Sequence, residues 1–494
     1  MLWIALFLSE LPLQLAQRAQ PTTNACVIAD GPALRPLVRC ANATALAAGI
    51  KCSMPIAAAR ALTHELLVIA RNTTAEEQAL HNLACWAGQF TPGITLQKEG
   101  LLLEVSTTLN MHGGLSRLLT RIGKGITELG YRAEPGIAPT PHAAWLLAKA
   151  RARGMQVRMC NEIAQLPARL DALPLTLLDW PADELKTLHT LGIHRLGQCL
   201  QLPRDGFTQR FGVERQRELD MLLGSVADPR PWFMPPDSFA SKLDFGFDLN
   251  DAMALLFPLK RLLQELEGFL RARGAGVQEW QLQLDHWNHR KTNLTFATVA
   301  PERHVERWLS LARERLSQLT LVGPVLALGI SVDKLMEFAE NTRSFIPDPQ
   351  SRAIGWGHLI DKLSMRLGPD KVYSLKAVDD HRPEQAWQRR EAMTAVIHAR
   401  QTSESLRQSA TVLSVPRPLW LLSTPRSLRT QAGQPLCQGL LNLIAGPERI
   451  EAGWWDGKRV HRDYYVARNA QGETFWIYRE HEHNACWYLH GVFA

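Results

Sequence analysis

The sequence predicts a multidomain α+β protein. Three observations indicate this class: strand-like and helix-like segments alternate over residues 1–334, a proline-rich segment interrupts them, and residues 446–494 carry strand patterns. At ~100–200 residues per domain, 494 residues leave room for three to five domains. Apolar residues make up 46% and charged residues 21%, which excludes a mainly disordered or fibrous chain.

Charge and cysteine usage set wider bounds on function. The net charge of +7 is compatible with a nucleic-acid partner but does not require one. None of the eight cysteines forms a C-x-x-C pair, so free thiols are expected rather than a zinc site. The apolar run Leu2–Leu8 has no preceding cation and is followed by Glu10, so it predicts a buried strand rather than a signal peptide. No apolar run of ~20 residues occurs, and we expect a cytoplasmic protein without membrane contact.

Residues 1–165 form the first predicted domain. Alternating and 3.6-residue apolar patterns predict strands and helices in turn. The predicted segments are Leu2–Leu8, Ala25–Ala29, Ala43–Ala48, Met54–Leu62, a hairpin of Ile94–Leu96 with Leu101–Val105, Leu115–Leu129 and His142–Arg153.

Residues 166–225 predict short helices around the turn Leu191-Gly192-Ile193. Helix, tight turn and helix are typical of a helix-hairpin-helix, whose backbone N–H groups can hold a phosphate without reading bases. A plain helical turn capped by Gly192 is the alternative. Residues 226–240 contain four prolines and predict an extended linker.

Residues 241–334 carry the clearest pattern of the chain. The order strand, helix, strand, strand, helix, strand predicts a ferredoxin-like unit. Its segments are Leu243–Leu249, Met253–Leu270, Trp280–Leu284, Asn293–Val299, Val305–Leu319 and Leu326–Val332.

The pattern weakens over residues 335–445, which predict a linker and a basic interaction region. Residues 381–430 hold eight Arg and three Glu, a net charge of +5. They predict either a solvated basic segment or a contact with phosphates or an acidic partner. Residues 446–494 predict a small β-rich domain with a hairpin of Val460–Arg468 and Glu473–Glu480. We expect its tryptophans to form an aromatic core rather than a base-stacking surface; they are Trp454, Trp455, Trp476 and Trp487.

The domain order resembles that of the Y-family (DinB/UmuC-like) translesion DNA polymerases, in which these parts are palm with fingers, thumb and little finger. Three segments carry the resemblance: Arg39–Arg60 resembles the finger region, Gly100–Val105 the second palm motif, and Pro139–Lys149 the helix that follows. Further segments resemble the ImuB branch of the family. They are Met1–Leu6, Asp380–Glu384, Arg417–Leu421, Gly446–Glu451, Gly453–Gly457, Arg462–Tyr465 and Trp487–Ala494.

The resemblance implies three acids that hold two Mg²⁺ ions in active members. The first-strand acid falls between Ala5 and Leu8, where no residue is ionisable, and the acid pair of the second motif is Glu99-Gly100. Glu104 matches a further family acid but cannot replace the missing ligands alone. We therefore expect no metal and no cofactor, with Mg²⁺ bound only if the site is active after all.

The family places a Tyr and an Arg in the finger helix to hold the incoming nucleotide, and Ala43 and Leu46 stand at those positions. Neither side chain can donate a hydrogen bond to a phosphate. The expected function is therefore a DNA-binding scaffold without catalysis in damage-induced mutagenesis and translesion synthesis. An active Y-family DNA polymerase is the alternative. In that case a shifted first strand would place Glu10 at the position of the first acid.

The resemblance implies several partners at the nucleoid. They are primer-template DNA bound without sequence preference, the sliding clamp, the RecA-like partner ImuA and an error-prone C-family polymerase. The clamp-binding peptide of the family is degenerate here; its positions are Asn341, Ser344 and Phe345. Candidate phosphate contacts are Gly192, Arg195, Lys260, Arg261, Arg290 and Lys291. A nuclease in residues 446–494 is a third hypothesis; it depends on Glu448, Glu451 and Asp456, which lack a paired spacing.

Overall fold

The computed structural model describes residues 1–18, 24–32, 34–63, 65–338, 349–391, 417–481 and 486–493. The chain divides into two compact units, Met1–Pro347 and Asp348–Ala494. None of the helices in the described ranges has the length and apolar content that crossing a bilayer requires.

The first unit begins with a four-stranded sheet in the order β5-β6-β1-β7 and a three-stranded sheet in the order β3-β2-β4. The strands are β1 (Trp3–Phe7), β2 (Cys26–Asp30), β3 (Leu37–Ala41), β4 (Leu67–Ala70), β5 (Gly93–Gln97), β6 (Gly100–Glu104) and β7 (Glu134–Ala138). The helices are α1 (Leu11–Gln17), α2 (Ala43–Ala47), α3 (Ile56–Leu62), α4 (Thr73–Ala87), α5 (Leu115–Glu128) and α6 (Pro141–Ala152). The predicted strands and helices of this region are confirmed.

Strand β1 is apolar throughout because both faces of the larger sheet are covered. Ile4 and Leu6 pack into the core formed with α4 and α5, whereas Ala5 and Phe7 pack into the core formed with α6. Alternate residues of a strand point to opposite faces, so a strand covered on both sides has no polar face. The predicted buried first strand is confirmed.

Short helices follow and pack on α6. They are α7 (Leu166–Leu170), α8 (Ala182–Thr190), α9 (Leu196–Leu200), α10 (Arg204–Phe211) and α11 (Val213–Leu223), with 3-10 turns at Ile163–Gln165 and Leu175–Leu177. Leu166, Leu170 and Leu188 are fully buried in the same core as Ala5 and Phe7. These helices therefore share one core with a face of the four-stranded sheet.

Residues 239–337 fold as the predicted β-α-β-β-α-β arrangement, called here the βαββαβ unit. It consists of β8 (Phe239–Leu249), α12 (Leu256–Ala272), β9 (Ala275–His286), β10 (Lys291–Glu302), α13 (Val305–Leu316) and β11 (Val325–Val332), with a 3-10 turn at Met253–Leu255 and the short strand β12 (Met336–Glu337). The antiparallel sheet runs β10-β9-β11-β8. Trp280 stacks on Phe296 at 4.3 Å between ring centres and meets the edge of Trp308 at 5.7 Å.

A buried ion pair joins the βαββαβ unit to the first sheet domain. Arg18 and Glu265 are almost completely buried, with 2.5 Å between nitrogen and oxygen. Arg18 also donates to the Tyr131 hydroxyl at 2.7 Å, and Glu265 accepts from Ser241 at 2.6 Å. Burial raises the pKa of the Tyr131 phenol, which keeps it neutral beside the guanidinium. Every charge in this contact is paired, as buried charges require.

The second unit is built around a five-stranded antiparallel sheet in the order β15-β21-β20-β19-β18. Its elements are α14 (Pro349–Leu367), a 3-10 turn at Pro369–Lys371, β13 (Tyr373–Ala377), β14 (Trp387–Glu391), β15 (Trp420–Ser427), β16 (Arg429–Gln431), β17 (Gln434–Leu436), β18 (Asn442–Ala452), β19 (Val460–Arg468), β20 (Thr474–Glu480) and β21 (Trp487–Val492). The predicted hairpin is confirmed as β19 and β20.

Two predictions for this region need correction. The predicted boundary at residue 446 falls inside β18, and the sheet takes β15 from the predicted linker. Strand pairing between distant segments leaves no local pattern, which is why the boundary was misplaced. Of the four tryptophans assigned to the core, Trp476 and Trp487 are buried, but Trp454 is 78% exposed and Trp455 is 53% exposed. Part of the predicted basic segment, residues 392–416, lies outside the described residues.

Candidate nucleic-acid and nucleotide site

The positions that match the catalytic acids come together at the end of β1. Strand pairing sets Phe7 opposite Gly100, and the Leu8 N–H donates to the Glu99 carbonyl at 2.8 Å. Ala5 and Leu8 are fully buried in apolar cores on opposite faces of the sheet. Whether Ala5 or Leu8 stands at the position of the family's first-strand acid, that position therefore carries a buried apolar side chain.

Gly100 has no room for a side chain. A Cβ at this position would collide with the Leu6 carbonyl oxygen of the neighbouring strand and would lie 3.2 Å from the Trp145 ring. The missing acid is thus incompatible with the present spacing of β1 and β6. This constraint was invisible in the sequence, because it depends on which residue faces Gly100 across the sheet.

The remaining acids are separated from one another along the sheet. Glu99 pairs with Arg39 of β3 at 3.1 Å, and both side chains are partly exposed. Glu104 lies at the opposite end of β6 and accepts from the Ser106 N–H at 3.1 Å. Glu10 is exposed beyond the end of β1, at the start of α1. Within the described ranges, no group of three His, Cys, Asp or Glu side chains is placed to hold a metal ion, so the residues present do not fit a two-metal site.

An open cleft of about 510 Å³ lies beside this hairpin. Its lining residues are Arg39, Gln97, Lys98, Glu99, Trp145, Lys149 and Asp179. The Lys149 ammonium is held at 2.6 Å from the Asp179 carboxylate and donates to the Leu177 carbonyl at 3.1 Å. The two acids of the cleft therefore each have a cationic partner, and Lys98 supplies the remaining positive charge.

The finger positions that match the nucleotide-binding Tyr and Arg lie on α2. Asn42 caps this helix by accepting the Ala45 N–H at 2.9 Å. Ala43 and Leu46 are exposed, and half of the Leu46 surface faces solvent. The helix thus presents apolar side chains where a phosphate contact would need donors.

The turn at Gly192 has the backbone form expected, with φ of +77°. Each backbone N–H from Leu191 to Gly197 already has an acceptor in the chain; those of His194 and Arg195 donate to the Gln198 side-chain oxygen at 2.9 and 3.1 Å. A phosphate held by these N–H groups would have to displace Gln198. The exposed Arg195 side chain is the more accessible donor of this turn.

The candidate cations of the βαββαβ unit differ in accessibility. Lys260 is exposed on α12, and Arg290 and Lys291 are exposed at the β9–β10 turn. Arg261 is half-buried, donates to the Arg18 carbonyl and lies 4.5 Å from the centre of the Phe257 ring. Burial, together with the charge of Arg18, lowers the pKa of Arg261. Arg261 is therefore occupied by an internal contact and is a weak candidate for a phosphate.

The β9–β10 turn also carries an exposed aromatic residue that the sequence did not single out. Trp287 is 62% exposed and adjoins Arg290 and Lys291 in this turn. The sequence could have indicated Trp287, because it stands close to Arg290 and Lys291 in the predicted polar turn. Asn341, Ser344 and Phe345 lie outside the described residues.

The three acids of the nuclease hypothesis do not converge. Glu448 pairs with Arg417, Glu451 lies 3.0 Å from His461, and Asp456 lies 2.7 Å from Arg382. Each carboxylate is thus engaged by a different basic side chain.

Along the first unit, the four-stranded sheet and the three-stranded sheet are followed by the short helices α7 to α11 and then by the βαββαβ unit. Residues 8–149 match the family model described as IMS, the impB/mucB/samB family. Over 471 residues the chain is 26% identical to Protein ImuB of Caulobacter vibrioides, covering 88% of this chain and 98% of that protein. The chain is thus similar to Protein ImuB over most of its length, and residues 8–149 carry the match to the impB/mucB/samB family.

Two solved structures align with about two thirds of this chain. A Y-family DNA polymerase chimera Dbh-Dpo4(243-245)-Dbh aligns with a TM-score of 0.40 and 16% identity, covering 68% of this chain and 99% of that chain. DinB from Sulfolobus solfataricus aligns with a TM-score of 0.38 and 14% identity, covering 69% of this chain and all of that chain.

Proposed function

We propose that this chain is a non-catalytic Y-family homologue that binds DNA as a scaffold in damage-induced mutagenesis and translesion synthesis. The observation that carries the proposal is the state of the metal positions: Ala5 and Leu8 are buried and apolar, and Gly100 leaves no space for an acid. Two-metal phosphoryl transfer needs several carboxylates that hold two metal ions at the reacting phosphate, and Glu99 alone cannot supply them.

Primer extension tests this proposal against an active polymerase. The full chain is expected to add no nucleotide to a primed template with Mg²⁺ or Mn²⁺, under conditions in which an active Y-family enzyme extends the same primer. Extension by the wild-type chain that is abolished by Glu10→Ala or Glu99→Ala would establish the alternative, an active polymerase.

The DNA contact proposed for the scaffold is a phosphate contact without base readout. The exposed Arg290 and Lys291, with Arg195 and Lys260, can neutralise backbone phosphates and release counterions. Affinity for primer-template DNA should then fall steeply with salt and vary little with sequence.

Removing both cations of the β9–β10 turn measures this contact. The variant Arg290→Ala/Lys291→Ala is expected to lower the slope of log affinity against log salt by about 2, since each phosphate contact contributes about 0.9. The matched control, Arg117→Ala/Lys124→Ala, removes two exposed cations from α5 and should leave the slope unchanged. An unchanged slope in the turn variant would assign the DNA contact to another surface.

The proposed partners follow the ImuB resemblance: the sliding clamp, a RecA-like ImuA protein and an error-prone C-family polymerase. Asp348 begins the second unit, so a chain ending at Pro347 removes that unit as a whole. In pull-down assays, we expect this shortened chain to lose the RecA-like and C-family partners. It should retain clamp binding, and Phe345→Ala should then remove that binding. Retention of all three by the shortened chain would argue against partner contacts in the second unit.

A further inference from the structure

The loop between β18 and β19 presents two tryptophans to solvent. Residues 453–458, called here the tryptophan loop, carry Trp454 at 78% exposure and Trp455 at 53%. The two rings lie 5.6 Å apart between centres and are nearly perpendicular, at 84°. By contrast, Trp476 of the adjoining sheet is 1% exposed. Adjacent exposed tryptophans mark a recognition surface more often than a structural one.

A buried arginine anchors the tryptophan loop through hydrogen bonds. Arg382 is 4% exposed and donates to both carboxylate oxygens of Asp456, at 3.1 and 2.7 Å, and to the Lys458 carbonyl at 3.2 Å. These hydrogen bonds hold the pKa of Asp456 below its usual range, so the carboxylate stays charged. Asp380 also pairs with Arg382, with 2.7 Å between its carboxylate oxygen and a guanidinium nitrogen.

Backbone geometry and a hydrogen bond from a backbone N–H also fix the shape of the loop. Gly453 has a φ of +81°, and a Cβ there would collide with the Lys458 carbonyl oxygen. The Lys458 N–H donates back to Asp456 at 3.0 Å. The two indole rings are therefore carried on a pre-organised support, and binding through them would cost little conformational entropy.

Charge favours a polyanionic occupant for this surface. The described residues of the second unit contain 17 Lys and Arg against 12 Asp and Glu, and Lys458 is exposed within the loop itself. Asp456 is paired with Arg382, which also pairs with Asp380 and lies 5.5 Å from the centre of the Trp455 ring, and the loop presents Lys458 and two exposed indole rings to a ligand. Aromatic faces beside cations are the pattern by which proteins bind single-stranded nucleic acid.

We propose that the tryptophan loop is a stacking site for unpaired bases of single-stranded DNA, with Lys458 at the neighbouring phosphates. The inference rests on the proposed function only in placing the chain at DNA. It adds a second surface, separate from the phosphate contacts of the βαββαβ unit, and one that selects unpaired strands over duplex.

Fluorescence anisotropy with the full chain tests this site. The probes are a labelled oligo-dT of about 12 nucleotides, an abasic strand of equal length and a blunt duplex. The variant Trp454→Ala/Trp455→Ala is expected to bind oligo-dT roughly tenfold or more weakly than the wild type, since each stacked base contributes about fivefold or more and the variant removes two stacking rings. Its binding to the abasic strand and the duplex should match the wild type.

Two matched variants serve as controls. Trp356→Ala removes a tryptophan of the same unit that is 60% exposed and should leave oligo-dT binding unchanged. Trp454→Phe/Trp455→Phe retains aromatic faces and should keep most of the affinity.

Unchanged oligo-dT binding by the double alanine variant would overturn the stacking site and assign the surface to a protein partner. An equal loss on the abasic strand would also overturn it, because such a loss would reflect phosphate contacts alone. Failure of the wild type to bind any of the three probes would refute the proposed DNA scaffold itself, which is a distinguishable result.

Discussion

Replacing Glu265 by leucine is expected to lower the free energy of unfolding of the first unit by about 3–5 kcal/mol. The substitution leaves the Arg18 guanidinium buried and charged without its partner, and the loss of one member of a buried pair carries a penalty of that size. Arg18 would keep only neutral acceptors, the Leu129 carbonyl at 3.0 Å and the Tyr131 hydroxyl at 2.7 Å. Urea unfolding of the full chain, followed by circular dichroism, measures the change.

A second variant separates the ion pair from the packing around it. Arg18→Met/Glu265→Leu removes both charges and should recover most of the lost stability, because two apolar side chains of similar volume replace a costly buried pair. Glu99→Leu is the control, since it breaks the partly exposed pair with Arg39 and should cost less than about 1 kcal/mol. If Glu265→Leu were as stable as Glu99→Leu, the ion pair would not hold the βαββαβ unit in place.

Replacing Gly100 by alanine is expected to destabilise the first unit by at least about 2 kcal/mol. The added Cβ collides with the backbone carbonyl of Leu6, so strands β1 and β6 would have to separate, and overpacking against backbone has no flexible side chain to relieve it. Thermal and urea unfolding measure the loss.

Gly123 on α5 provides the matched glycine. Nothing lies within 4 Å of a Cβ at that position, so Gly123→Ala should stabilise the chain by up to about 1 kcal/mol through helix propensity. Equal stability of Gly100→Ala and the wild type would show that β1 and β6 can move apart. In that case Gly100→Glu would become a realistic route to restoring an acid, which the present geometry forbids.

Much of the fold was readable from local pattern. The apolar spacing over Leu115–Leu129 predicted α5, which spans Leu115–Glu128, and the alternation after Trp280 predicted β9. Such periods report which face of an element is buried, and that information lies within a few consecutive residues. The acid-free first strand and the Glu99-Gly100 pair were also visible, because the residue type at a position that matches a family motif can be read without a structure.

Contacts between distant residues were not readable. Arg18 and Glu265 are 247 positions apart, and neither lies in a pattern that predicts a buried charge. Arg261 was expected at DNA, but it is half-buried and one of its N–H groups donates to the Arg18 carbonyl. The burial of a charge depends on which surfaces meet in the folded chain, and composition does not encode that.

The sequence by itself determined the order of elements in the βαββαβ unit, the absence of acids in β1 and the likeness to the ImuB branch. The tertiary structure alone decided that Gly100 has no space for a side chain, that a buried ion pair fastens the βαββαβ unit, and that two of four tryptophans face solvent. The physical reason is the same in each case. Local periodicity is set by neighbours along the chain, whereas steric space, charge burial and exposure are set by residues that only folding brings together.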